Sequence, residues 1–380
     1  MVFFRILYLA LFCVNSSWAQ FPKDYVAIDL KASEIPNSLT KNTSDIAHYV
    51  RSNFKTESDK LRAIYYITTH LIAYDYNMFN SNTPAKSKAE NIEYALRTKK
   101  GVCQHYAEVF TEVCLKSDIK AMVVEGYTKG SGSTEFMPHA WCAAFVNNTW
   151  QLIDPTWSSG YLENGVFMKL FTDHFYGLDP KEMIKTHLPY DPMFELLSYP
   201  VTRNEFNSGT HAQNDNKIEF VYNDSIALFE KLSELQKLEV AYRRTKNNGS
   251  LNPITAKRLS YLKHEIDVIK QNELAEIFNR AVGQFNAGIN GYNRFIAYRN
   301  NRFNPQKPDA EIKAMLDSSA VQLNQALAKL NSLTPTDNSN KKSINGLIRS
   351  SNEALVQINE QYVFLRKYFK CDVNRRKTLF

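Results

Sequence analysis

The sequence predicts an α+β domain followed by an all-α one, and three observations carry that reading. A β-rich run, "AMVVEGY" at residues 121–127, lies between turn residues. Two more apolar runs, "HAWCAAFV" and "TWQLID", flank Asn147-Asn148, a pair suited to the positive φ angles of a tight hairpin turn. Beyond residue 216 nothing has strand character, and apolar residues recur at helical spacing. With 380 residues, 44% hydrophobic and 22% charged, the composition is globular and the length suits two domains. The formal charge of +7 is mild, and its short clusters at 243–246 and 375–377 read as solvated helix ends. Nucleic acid is therefore not an expected partner.

In chain order, residues 1–19 read as a signal peptide. One positive charge precedes the apolar core Ile6–Val14, and Ser17-Trp18-Ala19 fits a small-x-small site with cleavage after Ala19. That core is far shorter than the roughly 20 residues of a membrane span. Cys13 would suggest a lipoprotein, but Phe12 is bulky where a small residue is wanted. No other stretch is long and apolar enough to cross a bilayer, so the expected location is secreted or periplasmic. Four cysteines remain after the leader: Cys103, Cys114, Cys142 and Cys371. Cys103 and Cys114 on one helix would stand roughly 16 Å apart, beyond disulfide reach. The fold must be held by its core.

Residues 20–45 read as irregular. A helical pattern begins at Ile46, and Ser58-Asp59 cap a second helix running through "KLRAIYYITTHLIAYDY". Residues 77–88 read as a polar loop, and Asn91–Arg97 as a short helix broken by Lys99-Lys100-Gly101. The next helix starts near Cys103, with Ala107, Phe110, Val113, Cys114 and Leu115 on its apolar side. "TKGSGSTEFMP" is a loop before the hairpin, and 167–206 reads as turns and short helix. The polar stretch at 207–216 marks a domain boundary, giving domains at 20–206 and 207–380. Four helical patterns follow, roughly 217–246, 252–300, 308–332 and 340–371. Spacings such as Leu228, Leu232, Leu235, Leu238 read as packed helical hairpins rather than a dedicated coiled-coil surface, although a surface partner for this domain is a further expectation.

The chemistry centres on "GVCQHYAEVFTEVC", residues 101–114. A thiol attacks only as thiolate, and a helix N-terminus favours that negative charge. A base within reach is needed, and a third group to orient it. The hairpin supplies both. With Asn147 and Asn148 as the turn, Val146 pairs with Thr149, Trp141 stands opposite Asp154, and His139 lies diagonal to Asp154 on the same face. Diagonal neighbours are about 7–8 Å apart at the backbone, a gap an imidazole and a carboxylate close with their side chains. A one-residue slip would separate them.

"GVCQHYAEVF", "VVEGY" and "PHAWCAAFVNNTWQLIDPTW" together resemble the core of the transglutaminase-like superfamily, which shares the papain-like fold group. "LIDPTWSSGYL" and "HLPYDPMFELLSYPVTRNEF" look most like the branch containing kyphoscoliosis peptidase and its bacterial relatives. The resemblance covers about residues 46–206. It implies Cys103 as nucleophile, His139 as general base and acid, and Asp154 as orienting carboxylate. A papain relation fails on spacing: there the histidine lies over a hundred residues downstream with asparagine as third member, whereas here it is 36 residues on.

His174 and His187, with Asp173 and Asp179, match no metal-ligand spacing and read as turn-stabilising. His105 reads as structural or a rim residue, and Cys142 as a buried thiol. Acyl transfer needs an oxyanion hole; the Cys103 backbone N–H is one natural donor, and Gln104, Tyr74 and Tyr76 are candidates for the second. Trp157 is a candidate wall of the acyl site. The expected function is thiol-dependent acyl transfer on a peptide or glutamine amide of a protein or peptide substrate, hydrolysis favoured over crosslinking, with no metal or organic cofactor. The alternative is a non-catalytic binding or scaffold module at the cell surface.

Overall fold

The computed structural model describes residues 25–81, 86–129, 136–210, 217–334 and 338–380. The signal-peptide and lipoprotein readings fall outside them. Among the described residues no helix is long and apolar enough to cross a membrane.

Helices α1 (Val26–Ser33), α2 (Thr43–Asn53) and α3 (Glu57–Leu71) lead into a two-residue strand, β1 (Ala73–Tyr74). A single turn, α4 (Tyr76–Phe79), and α5 (Lys88–Thr98) follow. Strand β2 (Lys100–Gly101) pairs in parallel with β1 and feeds α6 (Cys103–Lys116). The main sheet is built from β3 (Lys120–Lys129), β4 (Phe136–Val146), β5 (Thr149–Ile153), β8 (Tyr176–Leu178) and β9 (His187–Pro189). Its order is β8-β5-β4-β3-β9, antiparallel throughout. Between β5 and β8 come α7 (Pro155–Ser159) and the hairpin of β6 (Gly160–Glu163) and β7 (Val166–Lys169). Short helices α8 (Pro180–Met183) and α9 (Arg203–Ser208) flank β9 on either side in sequence.

Period-two alternation divides the sheet's side chains between two cores. On one face Cys142, Ala144, Val146 and Ile153 cluster with α6 (Val109, Phe110, Val113, Cys114) and with Ile46, Val50, Leu61 and Ile64 of α2 and α3. On the other, Val124, Trp141, Ala143 and Leu152 cluster with Met183, Met193 and Ile226. Each fully buried large side chain contributes about 1.5–3 kcal/mol of transfer free energy. Cys103, Cys114, Cys142 and Cys371 are all free thiols, so this burial holds the fold.

The hairpin turn forms as the sequence predicts, with Asn147 and Asn148 at φ 52° and 62° and Val146 paired with Thr149. Elsewhere the structure corrects the reading. Residues 20–45 are not irregular over their described part, because α1 forms there. Its Val26 and Leu30 are 60% and 63% exposed, so the helix shows no amphipathic stripe; tertiary contacts hold it instead. Arg62 of α3, itself 1% exposed, donates from Nε to Asp29 of α1 at 2.7 Å and from Nη1 to Asp173 at 2.6 Å. The cap of α3 is Thr56, whose Oγ1 accepts from the Asp59 N–H, rather than Ser58-Asp59. The stretch 167–206 contains β7, β8 and β9, each too short at three or four residues to show a period.

Contacts within the chain divide it into two units at Ser260/Tyr261 rather than at 206/207. Helices α10 (Tyr222–Glu230) and α11 (Glu234–Asn247) therefore belong with the sheet. Ile226 enters the Trp141 cluster. The buried Arg203 guanidinium donates to the carbonyls of Thr245, Gly249 and Ser250 at 2.7, 2.5 and 2.9 Å. A polar segment in sequence was not the end of the packing. The division falls inside α12 (Pro253–Asn300). The second unit comprises the rest of α12, α13 (Asp309–Ser332) and α14 (Asn338–Lys370), packed around Phe295, Phe303, Leu316, Leu323, Ile358 and Leu365.

Candidate functional site

Helix α6 begins at Cys103, as its sequence pattern implied. The chain reaches it through a narrow passage: a Cβ on Gly101 would lie 2.6 Å from the His105 Cβ, so only glycine fits. Parallel pairing of Tyr74 with Gly101 brings β1 alongside this entry. The Tyr106 hydroxyl donates to the Ile72 carbonyl at 2.7 Å, and Ser159 donates to that hydroxyl at 3.2 Å. These bonds hold the first turn of α6 between β1 and α7. At its start the Val102 N–H donates to His105 Nδ1, so His105 is a structural residue, buried and capping. The first-turn N–H groups of Cys103 and Gln104 have no acceptor within the helix.

His139 sits on β4 opposite Gly126 of β3, and Gly126 in turn pairs with Pro189 of β9. A Cβ at Gly126 would lie 2.2 Å from the Leu188 carbonyl and 2.6 Å from the Trp141 ring. The glycine in "VVEGY" is thus what lets β9 close onto β3 beside His139.

Asp154 follows β5 and caps α7, with Pro155 at the first helical position. Its Oδ1 accepts from the N–H groups of Thr156 and Trp157 at 2.8 and 3.1 Å. Its Oδ2 accepts from His139 Nε2 at 2.8 Å and from His187 Nε2 at 3.2 Å. A fully buried carboxylate thereby receives four donors. The "IDPTW" motif reads accordingly: one carboxylate starts a helix with one oxygen and holds two imidazoles with the other.

With Nε2 of His139 committed to Asp154, Nδ1 is the nitrogen left for Cys103, which interacts with the ring. Burial opposes charge on this ring, but the Asp154 carboxylate outweighs it, with Cys103 adding, and raises His139 to about 10. Burial also opposes charge on Asp154; His139 and then His187 overcome it and hold the carboxyl far below the usual range. His187 goes the other way, lowered by burial in spite of Asp154. It is held as a neutral ring, donating from Nε2 to Asp154 while its Nδ1 accepts from Thr186 Oγ1 at 2.7 Å.

A cavity of about 470 Å³ opens beside His139, walled by Tyr74, Tyr76, Phe79, Trp157, Phe167 and Phe175. Among the described residues none that lines it carries an Asp, Glu, Lys or Arg side chain. Cys103, half-buried, is not in that lining and connects to it through His139 and Tyr74, both of which interact with the thiol. Three of the four accessory candidates, Tyr74, Tyr76 and Trp157, face the cavity. Burial, with the Cys103 charge, raises the Tyr74 phenol and keeps it a donor. Gln104 points elsewhere, its Nε2 donating to Glu108 Oε1 at 2.8 Å.

The residue that sequence reasoning missed is His187. It is 1% exposed on β9 and ringed by Trp141, Trp157 and Phe175 at centroid distances of 5.1, 4.5 and 5.7 Å. Its turn-stabilising reading is corrected here, because a three-residue strand leaves no periodic trace. His139, Asp154 and His187 place three ligand-type atoms within 4.8 Å of one another. Two N–H donors on one carboxylate oxygen account for that closeness, and the second nitrogen of each ring is occupied by Cys103 or Thr186.

Comparison with known proteins agrees with this architecture. A family model described as the transglutaminase-like superfamily matches residues 44–155. Residues 44–155 belong to the transglutaminase-like superfamily. Kyphoscoliosis peptidase of Mus musculus is 28% identical over 215 residues, 53% of this chain and 31% of that protein. The Homo sapiens protein of that name is 28% identical over 204 residues, 51% of this chain and 30% of it. Hillarin of Drosophila melanogaster is 22% identical over 205 residues, 49% of this chain and 24% of it. These matches place the transglutaminase-like core on the kyphoscoliosis peptidase-like branch. They take in less than a third of each relative's length.

Proposed function

We propose that the transglutaminase-like core is a thiol-dependent acyl-transfer enzyme acting on peptide or glutamine amide bonds, hydrolytic rather than crosslinking. The observation that carries this is one chain of interacting side chains, Cys103 with His139 and His139 hydrogen-bonded to Asp154, at the head of a helix and beside a cavity. The Cys103 thiolate attacks the amide carbonyl, and the developing oxyanion meets first-turn N–H groups of α6, with the Tyr74 hydroxyl as second donor. The His139 imidazolium gives its proton to the leaving amine, and a thioester remains. Neutral His139 then takes a proton from water as the water oxygen attacks the thioester, and the thiolate leaves with the imidazolium restored. The name of the peptidase relatives favours water over an amine as acceptor.

The aromatic cavity, whose described lining carries no Asp, Glu, Lys or Arg, fits an apolar side chain next to the scissile carbonyl. Peptide amides with an aromatic or aliphatic residue there are expected to be cleaved at least about tenfold faster than peptides with a charged one. Release of free amine, compared between wild type and Cys103→Ala, measures this. Equal rates for the two proteins sink the covalent mechanism, and incorporation of a labelled primary amine in preference to hydrolysis reverses the choice of acceptor. Export is proposed on the leader-like residues 1–19. Protein recovered from a secreting host is expected to begin at Gln20, and a retained Met1 would overturn that.

A further inference from the structure

We propose that His187 is a positioning residue of this site, a second imidazole that fixes the Asp154 carboxylate from β9 so that its charge is held against His139. The inference rests on the proposed acyl-transfer reading but concerns a residue outside the three that perform it. Asp154 reaches its position from the end of β5 and is held by the α7 N–H groups on Oδ1 and, on Oδ2, by the His139 ring that it must orient. A tether on Oδ2 that does not move with the His139 ring has to come from another element. His187 supplies that tether at 3.2 Å. The ring itself has no freedom: Thr186 Oγ1 holds Nδ1, and three aromatic rings pack around it. Gly126 makes the approach possible, because any side chain there would push Leu188 and β9 away.

The titratable groups facing His187 are Asp154 and His139, and Glu195 lines the same small void behind the ring. A neutral N–H donor stabilises the ionised form of Asp154. Its removal therefore raises the acid-range pH at which Asp154 takes up a proton, and near neutrality it leaves the ionised carboxylate held on Oδ2 by His139 alone, free to turn from the imidazolium that it supports. The thiolate then loses the cation it faces. Hydrogen bonds to charged groups are worth enough to make this a roughly tenfold to hundredfold effect on rate.

The test is the rate of iodoacetamide alkylation at Cys103 against pH, read on the Cys103 peptide by mass spectrometry so that the half-buried Cys371 does not interfere. His187→Phe keeps an aromatic ring and removes both nitrogens; His187→Gln offers an amide that donates to Asp154 and accepts from Thr186. The expected result is an acid limb shifted to higher pH in His187→Phe, a rate near neutrality lowered roughly tenfold or more, and a return toward wild type in His187→Gln. A folded His187→Phe protein with the wild-type profile overturns the proposal. So does equal impairment in both variants, which signals a packing role only. Dependence of the wild-type rate on prior chelator treatment would instead make His187 a metal ligand and also overturn it. If wild-type Cys103 reacts no faster than free cysteine, the acyl-transfer reading fails by itself. The positioning claim is then read from the Asp154 carboxyl titration by NMR, which moves upward in His187→Phe if it holds and stays put if it does not.

Discussion

Cys103→Ala and His139→Ala are each expected to lower turnover by roughly four to six orders of magnitude, and the double variant by little more. Residues acting as one unit are strongly non-additive, since losing either leaves nothing for the other to activate. The two substitutions differ in what remains. His139→Ala leaves a thiol that iodoacetamide still reaches, without its imidazolium, so its alkylation at neutral pH should slow. In the wild type, with His139 raised to about 10, amide cleavage should hold through neutral pH and fall as the pH rises through about 10, where no proton is left for the leaving amine. The same shift appears in stability. A histidine raised on folding stabilises the folded state fully below its unfolded value, roughly 6.5, and that contribution is lost as the pH climbs to the folded one. An alkaline limb of activity unaffected by His139→Ala would assign the general acid to another group.

Asp154→Ala is expected to damage fold and function together, and Asp154→Asn to separate them. In the alanine variant four donors lose their acceptor in a fully buried place: the N–H groups of Thr156 and Trp157 and the Nε2–H groups of His139 and His187. Breaking a buried charged network by removing one partner costs about 3–5 kcal/mol, visible as a lower denaturant midpoint. Asparagine keeps an oxygen for the α7 cap and loses the charge. Its stability loss should be smaller, while turnover still falls by about four orders of magnitude, the scale seen when a triad carboxylate becomes an amide. The pH signature follows from the sign of the shift. Asp154 lies below its ordinary value, so its stabilisation is complete above the unfolded value near 3.9 and is lost as the pH falls toward the folded one. Acid unfolding of the wild type should carry this contribution and that of Asp154→Asn should lack it; identical acid limbs would mean that the carboxylate is not the charged anchor drawn above.

Much of this site was legible along the chain because its grammar is local. Asn147-Asn148 at positive φ pins the hairpin register, and register alone decides that His139 and Asp154 share a face. The start of α6 at Cys103 likewise follows from the glycine before it and the apolar period after it. What was not legible involves partners distant in sequence or elements too short for a period. His187 comes from a three-residue strand, and its place beside Asp154 depends on β9 closing over Gly126. Gln104 had the right neighbourhood for an oxyanion donor but spends its amide on Glu108 one helical turn on. The α1 helix and the attachment of α11 depend on Arg62 and Arg203, whose guanidinium groups find acceptors far along the chain, and α10 is attached through Ile226.

The sequence by itself determined the order of the longer helices, the hairpin register and the helix start that carries the thiol. Each is set by turn chemistry, capping or periodicity within about a dozen residues. Only the tertiary structure decided that one carboxylate serves two imidazoles, that aromatic rings wall the cavity beside them, and where the first unit stops. Those depend on which side chains meet after the sheet closes, and burial then gives each meeting its energy.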